Sequence, residues 1–286
     1  MAPGEALPRE RNGSRLNRGR IAMRVLSPAV DLDAFFENLA QARTRVLLLD
    51  YDGTLAPFVV RPERAFPYPG VGEELESLMD GGGTRVVIVS GRKLDDLLPL
   101  LPWRRRPELW GTHGWERLLP DGSRHVADPG NEIRERLAQA QERARELLRD
   151  GARIEIKPAA VALHWRGLPA LAVAKVREGA QRAWGELAGA GGVELLGFDG
   201  GLELRALGFN KQHAVKTVLS ETPGGASVAY LGDDLTDEDA FALVKLQGLA
   251  VLVRPELRET RADVWIRPPR ELLAFFRRWR ERSGAA

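Results

Sequence analysis

The chain has no cysteine in 286 residues, which excludes disulfides, thiolate metal ligands and a cysteine nucleophile. Its four histidines lack the spacing of a metal site, so oxygen atoms are the expected metal ligands. No apolar run approaches the roughly 18–20 residues of a membrane span, and no apolar segment follows the Arg-rich start as in a secretory signal. With an ordinary apolar content of 44%, these absences favour a folded cytoplasmic protein without a membrane partner.

The positive charge is concentrated at the start of the chain. Residues 1–24 hold six Arg and two Glu, a net charge of +4, so the chain's total of +2 leaves −2 for the remainder. A mildly acidic globular part argues against a nucleic-acid partner. We predict that residues 1–24 form a disordered basic leader.

Two different patterns of secondary structure follow the leader. Short apolar strands alternate with helices at both ends of the chain, which predicts a doubly wound, Rossmann-like α/β core. The middle predicts helix, two strands, helix and two strands, which is typical of an inserted α+β cap. The predicted helices include 93–101 in the core and 131–150 in the cap. The predicted units are a first core segment at 25–129, the cap at 130–207 and a second core segment at 208–286.

Three of the predicted core strands end in polar residues. The three ends are Asp50-Tyr51-Asp52-Gly53-Thr54, Ser90-Gly91-Arg92 and Gly232-Asp233-Asp234. Because parallel strands share one carboxyl edge, we expect these side chains to converge. A carboxylate at the end of a buried strand needs a partner, and Mg²⁺ prefers oxygen ligands. The predicted ligands are Asp50, the backbone carbonyl of Asp52, Asp233 and, through a bound water, Asp237.

The same edge predicts phosphoryl transfer. Asp50 could attack phosphorus and form an aspartyl-phosphate, while Asp52 protonates the leaving oxygen and then activates water. Ser90 and Gly91, before a predicted helix, suit a bound phosphate, and Lys211 adds a positive charge. The alternative is purely structural, because Asp and Gly also form turns and Ser also caps helices.

These motifs resemble those of the haloacid dehalogenase-like phosphatase superfamily and, within it, the trehalose-6-phosphate phosphatase family. The resemblance covers about residues 30–281 and is carried by the segments 48–55, 90–92, 111–114 and 231–241 together with Lys211. It implies Mg²⁺-dependent hydrolysis of a sugar phosphate, trehalose 6-phosphate, and functional pairing with a trehalose-6-phosphate synthase. It also implies sugar-binding roles in the cap for Glu203, Arg166, His164 and Lys157.

The chain departs from the family pattern at three positions. Asp199 stands where the family often has Lys, Ala206 replaces a Pro, and Gln212 replaces a Gly. Sugar recognition can shift sharply when one polar contact is lost. One alternative is therefore the same chemistry on a different sugar phosphate. Another is a catalytically silent regulatory domain, although such a domain should have lost one of the catalytic or metal-binding residues.

Overall fold

Two β-sheets organise the chain in its computed structural model, which describes residues 23–198, 200–208 and 210–284. The strands of the described residues are β1 (Arg24–Val25), β2 (Arg45–Asp50), β3 (Thr84–Val89), β4 (Glu108–Gly111), β5 (Glu116–Leu118), β6 (Arg124–Val126), β7 (Arg153–Lys157), β8 (Ala160–His164), β9 (Val193–Phe198), β10 (Gly201–Ala206), β11 (Ser227–Gly232), β12 (Leu249–Val253) and β13 (Val264–Ile266). The α-helices are α1 (Leu32–Gln41), α2 (Val71–Asp80), α3 (Leu94–Leu97), α4 (Asn131–Ala144), α5 (Ala170–Gly189), α6 (Lys211–Ser220), α7 (Glu238–Val244) and α8 (Arg270–Ser283).

The larger sheet has the order β1-β13-β12-β11-β2-β3-β4-β5-β6 and is parallel from β13 to β4. From β2 the chain first builds one side of the sheet, through β3 and β4. It later returns to build the other side, through β11, β12 and β13. Strand β2 is therefore the topological switch point, and ligands of such sheets bind beyond the carboxyl ends of the strands at this point.

Helices cover both faces of this sheet, which explains why all six residues of β2 are buried. Leu47 and Leu49 belong to a core cluster formed with α1, α2 and α8. Val46 and Leu48 point to the opposite face, where they pack in a cluster with α6 and α7. Each fully buried side chain of this size contributes about 1.5–3 kcal/mol relative to exposure. The position of Asp50 is thus fixed by the packing of the strand before it.

The smaller sheet, in the order β7-β8-β10-β9, is antiparallel and is contributed entirely by the middle of the chain. Helices α4 and α5 cover one face around Leu163, Leu204 and Trp184. On the other face, Ala162 lies between Glu155 of β7 and Glu203 of β10 in the strand register. The cap thus has one apolar face and one charged face.

The structure confirms a doubly wound core with an inserted α+β cap and corrects several elements. The predicted helix 93–101 is only the four-residue α3 plus a 3₁₀ turn, because Pro99 interrupts it. Similarly, α4 ends at Ala144, and a 3₁₀ segment continues to residue 150. Helix α1 and the hairpin of β5 and β6 were not predicted at all. The boundaries of the core segments and the cap remain predictions.

Residues 1–22 of the predicted leader lie outside the described residues, and so does Asp199. Arg24, which we assigned to the leader, instead pairs with Trp265 at the edge of the larger sheet. In the described part of the chain, no helix combines the length and apolarity needed to cross a membrane.

Candidate active site

Asp50, at the carboxyl end of β2, forms a buried ion pair with Lys211. The Lys211 Nζ donates to Asp50 Oδ1 at 2.6 Å, and the Thr54 hydroxyl donates to Oδ2 at 3.1 Å. Lys211 opens helix α6, whose N-cap Asn210 accepts a hydrogen bond from the backbone N–H of His213. Burial raises the pKa of Asp50, and the ammonium of Lys211 opposes that rise.

Asp237 fixes the other side of Lys211. Its Oδ1 accepts from Lys211 Nζ at 2.8 Å and from the Tyr230 hydroxyl at 2.6 Å. Its Oδ2 accepts from the backbone N–H groups of Asp233 at 3.1 Å and Asp234 at 3.0 Å. These four bonds use the usual acceptor capacity of a carboxylate. Burial alone would lower the pKa of Lys211, but the charges of Asp237 and Asp50 raise it, so this lysine stays protonated.

Asp50, Asp233 and Asp237 form a carboxylate cluster suited to a cation. One oxygen of each lies within 4.8 Å of the others. Asp233 can approach because Gly53, at φ +87°, has no side chain; a Cβ there would lie 2.1 Å from Asp233 Oδ2. Burial, then Asp50 and Asp237, raise the pKa of Asp233. Three buried carboxylates around one lysine fit a divalent cation, and Asp50 and Asp233 are the better direct ligands because Asp237 is already saturated.

Asp52, two residues after Asp50, is held by Arg92. The guanidinium donates to both carboxylate oxygens, at 2.7 Å from Nε and 2.6 Å from Nη2. The Ser90 hydroxyl accepts from the backbone N–H of Arg92 at 3.1 Å. The ends of β2 and β3 are therefore tied together. The Ser-Gly-Arg motif was visible in the sequence, but we predicted no role for Arg92. A carboxylate at a strand end needs a partner, and this need for a partner of Asp52 was the signal that could have pointed to Arg92.

A turn after β4 completes the core side of the site. Its residues Thr112 and His113 adopt positive φ angles of 49° and 57°. The backbone N–H of His113 donates to the carbonyl of Ser90 at 2.9 Å, and a Cβ on Gly91 would come within 2.6 Å of the imidazole ring. Burial, together with the positive charges of nearby basic residues, lowers the pKa of His113 to about 3, so the ring is neutral. In the sequence, His113 belongs to the segment 111–114 that carries the family resemblance, but we predicted no role for its side chain.

A cavity of about 610 Å³ separates this edge of the core from the charged face of the cap. Among its lining residues are Asp52, Gly91, Arg92 and His113 from the core and Glu155 and Lys157 from the cap. Glu155 was not predicted from sequence, because its position became visible only once β7 paired with β8.

Of the four cap residues proposed from sequence, Lys157 alone lines the cavity as far as the described residues show. Lys157 Nζ pairs with Glu203 at 2.7 Å, which places the buried Glu203 directly behind it. His164 Nε2 lies 3.0 Å from a carboxylate oxygen of Glu155. Arg166 follows β8 and packs beside Gly200. The structure thus brings Lys157, Glu203 and His164 to one face and sets Arg166 at its margin.

The doubly wound core with its inserted cap is similar in fold to a Bacteroides thetaiotaomicron phosphatase of the haloalkanoate dehalogenase superfamily, with a TM-score of 0.57 and 16% identity over 89% of this chain and 99% of that chain. The chain belongs to the trehalose-phosphatase family, whose family model matches residues 48–261. A solved structure of Aspergillus fumigatus trehalose-6-phosphate phosphatase is similar, with a TM-score of 0.65 and 26% identity over 91% of this chain and 100% of that chain.

Curated relatives have similar levels of identity. A trehalose-phosphate phosphatase of Mycobacterium leprae is 34% identical over 230 residues, which are 74% of this chain and 51% of that protein. An uncharacterized glycosyl hydrolase of Mycobacterium tuberculosis is 33% identical over 251 residues, which are 82% of this chain and 18% of that protein. The chain therefore spans about half, or less, of the length of these relatives.

Proposed function

We propose that this chain hydrolyses trehalose 6-phosphate to trehalose and phosphate through an aspartyl-phosphate on Asp50. The observation that carries the proposal is the buried Asp50–Lys211 pair of 2.6 Å at the switch point of the sheet. Next to it lies a cavity that is lined by Asp52 from the core and by Glu155 and Lys157 from the charged face of the cap. Membership of the trehalose-phosphatase family supports both the reaction and the substrate.

The proposed roles follow from the contacts. Asp50 attacks phosphorus as the bond to the sugar oxygen breaks, and Asp52 donates the proton that this oxygen needs. Asp52 then takes a proton from the water that hydrolyses the aspartyl-phosphate. Ser90, the backbone N–H of Gly91 and Lys211 hold the phosphoryl oxygens. Because Arg92 occupies both oxygens of Asp52, the substrate must share or displace that guanidinium to reach the carboxyl.

We further propose that Mg²⁺ is held by Asp50, the backbone carbonyl of Asp52 and Asp233, with Asp237 contributing through water. When bound, the ion would neutralise charge on the carboxylates and on the phosphoryl group. Functional pairing with a trehalose-6-phosphate synthase and a cytoplasmic location belong to the same proposal. Both are inferred from the family, because a synthase reaction supplies this substrate.

The test is phosphate release by the purified chain from a panel of sugar phosphates, with Mg²⁺ and with EDTA. We expect Mg²⁺-dependent turnover that is fastest on trehalose 6-phosphate. Faster turnover of another sugar phosphate would keep the aspartate mechanism and replace the substrate, as Asp199, Ala206 and Gln212 allow. Absence of phosphate release from every member of the panel would favour the silent regulatory domain.

A further inference from the structure

The turn after β4 holds a conformation that its residues do not favour. Thr112 and His113, at φ 49° and 57°, are the non-glycine residues with positive φ in the described part of the chain. A β-branched residue such as threonine is rarely found there, and such strain persists only where the surrounding structure imposes it. Strained pairs of this kind cluster at ligand sites.

Glu116, which the proposed mechanism does not use, holds this turn in place. Its Oε2 accepts from the Thr112 hydroxyl at 2.6 Å and from the backbone N–H of Leu94 at 3.2 Å. Its Oε1 accepts from Arg124 at 2.5 Å. Glu116 is buried, and its bonds to Thr112 and Leu94 are shielded from water. One carboxylate therefore joins the strained turn to the start of the helix that follows the Ser-Gly-Arg motif.

The strain places the imidazole of His113 in a particular position. The ring packs against Gly91, where any larger residue would collide with it, and it forms part of the cavity wall. Asp52 from the core and Lys157 from the cap line the same cavity. The ring thus borders a cavity that is lined both by Asp52, the proposed acid and base, and by residues of the cap.

We propose that His113 contacts the sugar of the substrate as a neutral hydrogen-bonding group, and that Glu116 is the positioning residue that holds its turn. The proposal rests on the function proposed above. A neutral imidazole both donates and accepts a hydrogen bond, which matches a sugar hydroxyl. A phosphoryl group instead calls for donors and positive charge, which Lys211, Ser90 and Gly91 supply.

The first test replaces His113 with Asn, because Asn tolerates positive φ and lacks the imidazole. His125→Asn is the matched control, since His125 is exposed on β6. Each protein is assayed on the preferred sugar phosphate and on p-nitrophenyl phosphate, an ester without sugar hydroxyls. We expect His113→Asn to lower kcat/KM about tenfold on the sugar phosphate and less than about twofold on the aryl ester. An equal loss on both esters, or no loss on either, overturns the proposal.

The second test is Glu116→Gln, which keeps the shape of the side chain and removes its charge. We expect the same selective loss, about threefold, on the sugar phosphate alone. A loss shared by both esters together with a lower Tm would mean a merely structural role. Wild-type protein that cleaves the aryl ester but no sugar phosphate would refute the proposed function itself. Wild-type turnover of the sugar phosphate that His113→Asn leaves unchanged would refute this inference alone.

Discussion

The charges at the strand ends of the core and those on the open face of the cap are paired in different ways. In the core, Asp50 and Lys211 are 3% and 5% exposed, and Lys211 donates to both Asp50 and Asp237, so their geometry is fixed before any ligand arrives. In the cap, the side chains of His164 and Glu155 are 29% and 35% exposed while paired with each other. Water-accessible pairs exchange partners at little cost. We infer that the core is preorganised for the proposed reaction, whereas the cap can adapt its contacts to the proposed sugar substrate.

One cap pair does not follow this contrast. The side chains of Lys157 and Glu203 are only 13% and 6% exposed, close to the values of the core cluster. Breaking so buried a pair is costly, because it leaves a charge without a partner. Substitutions in this pair therefore test whether part of the cap, like the core, has a geometry that is fixed before a ligand binds.

The largest expected effect is that of Asp50→Asn. Asn keeps the shape of the side chain but cannot form the acyl-phosphate, so turnover should fall at least about a thousandfold. Phosphate release from trehalose 6-phosphate measures it. Asp239→Asn is the control, because Asp239 is exposed at the start of α7 and pairs with Arg261 at the surface. Near-normal turnover by Asp50→Asn would refute the nucleophile.

Tyr230→Phe tests how strongly the cluster of Asp50, Lys211 and Asp237 depends on the hydrogen bond from the Tyr230 hydroxyl. The change removes the hydroxyl that donates to Asp237 at 2.6 Å and leaves Lys211 less firmly held. We expect kcat to fall about tenfold. Tyr51→Phe is the control: Tyr51 is equally buried but donates to the backbone carbonyl of Ala65, away from the cluster. Equal losses of kcat in both variants would indicate general destabilisation instead.

The positions of the core carboxylates could be predicted from sequence, because these residues follow strands that are recognisable as continuous apolar runs. Continuous apolar runs placed Asp50 and Asp233 at strand ends, and parallel strands bring such ends together. The pairings could not be predicted in the same way. Arg92 and Asp52 are 40 residues apart in sequence, and no periodicity links one side chain to another at that distance.

The missed elements are short or depend on tertiary contacts. Strands β5 and β6 have three residues each, too few for an alternating pattern to stand out. Helix α1 did carry a signal, because Asp31 caps it by accepting from the backbone N–H groups of Asp33 and Ala34. Glu155 gained a role only when the pairing of β7 with β8 placed it beside His164. Fold class was therefore easier to predict than the cap side of the site.

Glu203→Gln sharpens the question about the cap. Removal of the charge leaves Lys157 without its partner at 2.7 Å, so the wall of the cavity should lose its fixed geometry. We expect KM for trehalose 6-phosphate to rise about fivefold, with little change in kcat. Glu194→Gln is the control, since Glu194 pairs with Arg205 on the same sheet and is more exposed. Equal KM values in the two variants would show that the Lys157–Glu203 pair is not a fixed element and that it adapts like the more exposed ion pairs of the cap.

The smallest effect is expected for Glu221→Gln, at the opposite edge of the core sheet. Glu221 accepts from Arg117 of β5 and Arg85 of β3, and it is as accessible as the cap pairs but far from the cavity. Its loss should change neither kcat nor KM. Because the pair is partly exposed, the free energy of unfolding should fall by only about 0.5–1 kcal/mol at neutral pH.

The pH dependence of that loss identifies its cause. Hydrogen bonds from Arg117, and then from Arg85, lower the pKa of Glu221 from its ordinary 4.5 to about 2. A carboxylate with a lowered pKa in the folded state stabilises the protein above its unfolded pKa, and this contribution disappears as the pH falls through the folded value. The stability difference between wild type and Glu221→Gln, measured by urea unfolding, should therefore be full at pH 7 and shrink from about pH 4.5 to pH 2. A stability difference that stayed constant over this range would show that Glu221 stabilises the protein through packing and not through its charge. In that case, the exposure of an ion pair would not by itself show that the pair can exchange partners.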